Sequence, residues 1–124
     1  MIEIDVENRS GAEVDEAAAV EVARRVLAAE GIDSGELGLF FVRPDESREL
    51  KRSHLGIDEA TDALAFPIDG VDALPDGIPR QLGDVVVCPD VTGDAWEAPL
   101  VHALLHLVGY DHGPEMEARE AVYR

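Results

Sequence analysis

The sequence predicts a small α+β domain with one mixed four-stranded sheet flanked by helices. Two observations carry this. The 124 residues suffice for one core and are too few for two, so residues 1–124 read as a single domain. Along the chain, short runs with strand-like apolar patterns are interleaved with longer runs of helical period.

Each element has its own signal. Ile2, Ile4 and Val6 alternate with Glu3, Asp5 and Glu7, the period-two pattern of a half-buried strand. After Val14, the apolar positions Ala17, Val20, Val22, Ala23, Val26 and Leu27 recur at helical spacing and Gly31 supplies a stop, which predicts a helix from Asp15 to Glu30. Leu37 to Val42, bounded by Gly35 and Pro44, reads as a strand, and Asp45 to Leu55 as a helix capped near Asp45. Ala63 to Phe66, closed by Pro67, and Asp84 to Cys88, closed by Pro89, read as two more strands. Between them IDGVDALPDGIPRQLG holds three glycines and two prolines, the composition of a surface connection. Trp96 to Val108 is a long apolar helix stopped at Gly109, and Pro114 to Tyr123 a final helix with proline in its first turn. The predicted order is β-α-β-α-β-β-α-α.

Composition narrows the function. Hydrophobic residues make up 46% of the chain, as in ordinary globular proteins. The N-terminal MIEIDVENRS has acidic residues where a secretion signal has basic ones, and no apolar run approaches the ~18 residues of a membrane span. A cytoplasmic protein with no membrane partner is therefore expected. Cys88 is the only cysteine, so no internal disulfide forms, and a core thiol is expected there. The net charge of -17 arises from 27 acidic against 10 basic residues. Such a surface repels nucleic-acid phosphates at long range, and no DNA partner is expected.

The chemistry concentrates in HALLHLVGYDH. His102 and His106 stand four apart on a predicted helix, so their imidazoles share one face. Gly109 can take the left-handed conformation that ends the helix and returns the chain toward His112. Three histidines around one ion, with a fourth position left to water, is the open arrangement of catalytic zinc. That puts a metal site at the end of a C-terminal helix. Imidazole sites also accept nickel, copper and iron, so zinc rests on prevalence. The spacing HxxxHxxGxxH is also that of metzincin proteases, but those carry glutamate directly after the first histidine as general base, and here that residue is Ala103. Peptidase chemistry is thereby disfavoured. Phosphodiester hydrolysis by a metal-activated water stays open.

The same segment closely resembles the HGxLHLxGYDH signature of the YbeY family of ribosomal-RNA maturation endoribonucleases, with Ala103 in place of the glycine. Thr61 to Pro67, TDALAFP, resembles the family's TDVLSFP, and Leu82 to Val85 its LGDI. The resemblance implies a single-domain α+β metalloprotein, zinc-dependent, that processes small-subunit ribosomal RNA and takes part in ribosome quality control. It implies His102, His106 and His112 as metal ligands and catalytic residues, with Asp111 and Asp62 as carboxylates able to orient a ligand imidazole. Two departures fall on the RNA side. Leu55 stands where the family has an arginine before Gly56-Ile57-Asp58, and only seventeen residues, Asp84 to Leu100, separate Gly83 from Val101. Arg48, Lys51 and Arg52 on the second predicted helix, with Arg43 before it, are the cations expected to meet phosphate instead.

The expected function is thus a metal-dependent endoribonuclease acting on ribosomal RNA of the small ribosomal subunit. One alternative is a ribosome-biogenesis binding factor that keeps the zinc site with little or no cleavage. Another is a general zinc hydrolase of small substrates.

Overall fold

The computed structural model describes residues 2–123. β1 (Ile2–Asn8), β2 (Gly35–Phe41), β3 (Ala63–Pro67) and β4 (Gln81–Val87) form one sheet in the order β1-β2-β4-β3. β1, β2 and β4 run parallel, and β3 pairs antiparallel with β4 at one edge. The helices are α1 (Glu16–Ala29), α2 (Pro44–Leu55), α3 (Pro89–Thr92), α4 (Glu97–Leu107) and α5 (Pro114–Val122). This is the α+β architecture with a mixed four-stranded sheet that the sequence predicts.

Alternation along the strands gives the sheet two apolar faces. Leu37, Leu39 and Phe41 of β2 and Val85 and Val87 of β4 enter the main core, where α1, α4 and α5 pack. Phe40, Leu64, Phe66 and Val86 point the other way, into a smaller cluster closed by Leu50 of α2. α1 turns one stripe inward, Ala19, Val22, Ala23, Val26 and Leu27. Its first turn is closed by Asp15, whose carboxylate accepts from Ala18 N at 2.9 Å. Ser47, the buried residue of α2, ties that helix to the approach to β3 by donating to Thr61 O and accepting from Thr61 N, both at 3.1 Å.

Several details differ from expectation, among them β2, which begins two residues early at Gly35. α2 begins one residue earlier, with Arg43 as cap and Pro44 in the first turn, because proline's fixed φ suits that place; Asp45 lies inside the helix. β4 reaches back to Gln81, so the connection from β3 is shorter than its glycine content suggests. Gly83 is a strand residue at φ +136, where a Cβ would stand 2.3 Å from Phe66 O and 2.9 Å from Leu107 Cδ1. Glycine here permits close approach of β3 and α4 rather than a turn. Finally, α3 is a single turn that the sequence reading does not anticipate. Cys88, between β4 and α3, is 1% exposed, the expected core thiol, and burial pushes its pKa up.

Candidate metal centre

α4 is buried along most of its length, through Leu100, Val101, Ala103, Leu104, Leu105 and Leu107, while His102 and His106 stand at its partly exposed rim. The helix ends as Gly109 predicts. At φ +106 Gly109 donates to His106 O, and Tyr110 N reaches back to Leu105 O, both at 3.0 Å. This is the paired closure of a Schellman turn. It reverses the chain so that His112 arrives beside the other two. Ring centroids lie 4.6 Å apart for His102 and His106, 5.0 Å for His102 and His112, and 4.5 Å for His106 and His112.

One nitrogen from each ring lies within 4.8 Å of the others. The Nε2 atoms of His102 and His106 are 3.1 Å apart. Two nitrogens bound to one tetrahedral zinc at its usual bond length stand about 3.4 Å apart. The donor set therefore fits a divalent transition metal: three imidazole nitrogens converge, and two are already near the required spacing. Burial lowers the pKa of His106, and its two histidine neighbours lower it further, against opposing effects of the Tyr110 carbonyl and Asp111. A neutral imidazole with a free lone pair results, as a metal ligand needs.

The groups behind these rings differ from those expected. His106 Nδ1 lies 2.9 Å from the carbonyl oxygen of Tyr110, and His102 Nδ1 3.4 Å from Glu120 Oε1 on α5. Asp62 is not in the cluster's hydrogen bonding. Its Oδ1 accepts from Ala63 N at 2.7 Å, closing the start of β3. Asp111 is exposed and adjoins the cluster without a hydrogen bond to it among the described residues. Sequence reasoning passes over Glu120, yet a signal exists. It lies four residues after buried Met116 and three before buried Tyr123, so a charged residue shares the inward face of α5.

A second network braces the centre from below. The side chain of Glu30, at the end of α1, is 5% exposed. It accepts from Tyr110 Oη at 2.8 Å, from Arg119 Nε at 2.9 Å, and from Tyr123 Oη. Burial alone would raise the Glu30 pKa, but these hydrogen bonds and the Arg119 charge outweigh it and hold the carboxyl below its usual range. Tyr110 thus fixes the centre twice, its carbonyl on His106 and its hydroxyl on Glu30. Beside the histidines opens a cleft of about 700 Å³ whose walls include Val71, Tyr110, Asp111, His112 and Glu115.

Three of the four cations expected to meet phosphate are engaged with carboxylates. Arg48 pairs with Asp58 at 2.9 Å, Lys51 with Glu59 at 2.8 Å, and Arg52 with Glu49. Leu55 is 58% exposed and brings no charge to this face.

Fold and site together define a small α+β protein with an open three-histidine centre suited to a metal ion. The family model described as Endoribonuclease YbeY matches residues 3–122. Proteins named endoribonuclease YbeY from Salinispora tropica and Halorhodospira halophila are 38% and 37% identical to this chain. The first alignment covers 94% of this chain and 87% of the relative, the second 96% and 88%. A solution structure from Thermotoga maritima superposes with a TM-score of 0.57 at 26% identity, covering 99% of this chain and 86% of its own. The chain belongs to the YbeY family of endoribonucleases.

Proposed function

We propose that this protein is a metal-dependent endoribonuclease that matures ribosomal RNA of the small ribosomal subunit and works in the cytoplasm as one domain. The observation that carries the reading is the convergence of three imidazole nitrogens within 4.8 Å on the rim of a cleft, in a chain of this family. His102, His106 and His112 would hold one ion, with zinc the common occupant of such open three-histidine sites. When bound there, a divalent metal supplies Lewis-acid charge for a scissile phosphate and lowers the pKa of a coordinated water. The protein contributes placement. α4 fixes two rings one turn apart, the Schellman turn at Gly109 delivers the third, and the Tyr110 carbonyl holds His106 in the tautomer that leaves Nε2 free. Ala103 leaves no carboxylate beside His102, so the peptidase general base is missing.

The test is elemental analysis of untagged protein beside a ribonuclease assay. About one transition-metal ion per chain is expected. His106→Ala, and chelation of the wild type, should each reduce cleavage of precursor ribosomal RNA by at least about 100-fold, the scale on which lost charge stabilisation acts. The circular dichroism of the variant should remain that of a folded protein. Metal-free wild type, or equal cleavage after His106→Ala, would refute the mechanism. Co-sedimentation with small subunits without any cleavage would leave only a binding factor.

A further inference from the structure

We propose that Glu120 is a positioning residue for His102: its carboxylate accepts the Nδ1 proton and so presents the His102 Nε2 lone pair to the metal. This rests on the reading of the three histidines as metal holders. With Nε2 of His102 facing Nε2 of His106 at 3.1 Å, Nδ1 is the nitrogen left to be held from behind, and Glu120 Oε1 is 3.4 Å from it. A hydrogen-bond acceptor behind a ligand imidazole fixes its tautomer and orientation and raises its basicity.

Glu120 is suited to the task by the helix that carries it. α5 is anchored by the buried Met116, one turn before Glu120, and Arg119 and Tyr123, one residue before and three after it, both donate to Glu30. Glu120 is therefore carried on a rod pinned to the end of α1, with its side chain only 25% exposed. The two rings of α4 are held through Nδ1 by different means, His106 by a backbone carbonyl from its own turn and His102 by a carboxylate from the next helix. Of the two carboxylates that the resemblance implies for such a role, Asp62 is committed to the start of β3 and Asp111 makes no hydrogen bond to the cluster among the described residues.

The experiment compares Zn2+ affinity, by competition with a chromogenic chelator, and the visible absorption of the Co2+ form. Its samples are wild type, Glu120→Gln, Glu120→Ala and His102→Ala, with the thermal midpoint of each metal-free protein. Glu120→Ala should weaken Zn2+ binding about 10- to 100-fold, and Glu120→Gln, which keeps a neutral acceptor, by less. Both should shift the Co2+ band while the metal-free midpoints stay at the wild-type value. Wild type that binds no Zn2+ would overturn the metal centre and this role together. Tight binding by wild type, its loss in His102→Ala and unchanged affinity in Glu120→Ala would overturn the role of Glu120 alone. Weakening confined to Glu120→Ala and matched by a lower metal-free midpoint would assign Glu120 to packing and overturn it too.

Discussion

Glu30 shows how much one side chain can organise. Three donors from two later parts of the chain converge on its buried carboxylate, so removing the acceptor strands Tyr110, Tyr123 and Arg119 at once. Glu30→Gln should cost about 2 kcal/mol or more in urea denaturation at neutral pH, the usual scale for hydrogen bonds to a charged group. The dependence on acid follows from the lowered pKa. The folded carboxyl sits below its ordinary value of 4.5, so its contribution is complete above that value and is lost as pH falls through the folded one. The stability gap between wild type and Glu30→Gln should therefore hold from neutral pH down to the ordinary value of 4.5 and narrow below it. A constant gap would contradict this. At this scale the histidine triplet was legible in the sequence because its three members are close along the chain. Glu120 was not, because its contact with His102 spans eighteen residues and a turn between helices. Nor were the ion pairs of Arg48 and Lys51, which depend on how the loop after α2 folds back to bring Asp58 and Glu59 alongside.

Among elements, the contact of β3, β4 and α4 governs how the site is seated. Gly83 lets the backbone of β4 lie under Leu107, the residue after His106, where any Cβ would collide with Phe66 O. Gly83→Ala should lose about 3 kcal/mol or more, combining strain at φ +136 with overpacking. It should also weaken metal binding by displacing the end of α4. A thermal melt beside a Zn2+ titration checks both, and a near-wild-type melt would show that the strands can part at little cost. The strong periodic elements, α1, α4 and the alternating strands, were legible because burial imposes their patterns. Gly83 misled because a glycine in a strand and a glycine in a turn look alike in sequence. α3 escaped because four residues are too few to show a period.

For the molecule as a whole, the net charge of -17 sets the balance. Exposed pairs such as Arg48–Asp58 and Arg52–Glu49 contribute little and weaken with salt, whereas self-repulsion of this excess acts over the entire surface and is also screened. The second effect is the larger, so the melting temperature should rise by several degrees between about 0.05 M and about 1 M NaCl, where the screening length falls to about 3 Å. A flat or falling series would show that the ion pairs outweigh the repulsion. The compactness of the histidine set has a separate thermodynamic consequence. His102, His106 and His112 span only eleven consecutive residues, so even the unfolded chain can gather them around an ion at small loop-closure entropy. Affinity for the unfolded state subtracts from the stabilisation that a ligand gives by mass action. The metal would therefore protect the fold only to the extent that folding improves the set, and what folding adds is the Tyr110 carbonyl, the carboxylate of α5 and the rigid turn at Gly109.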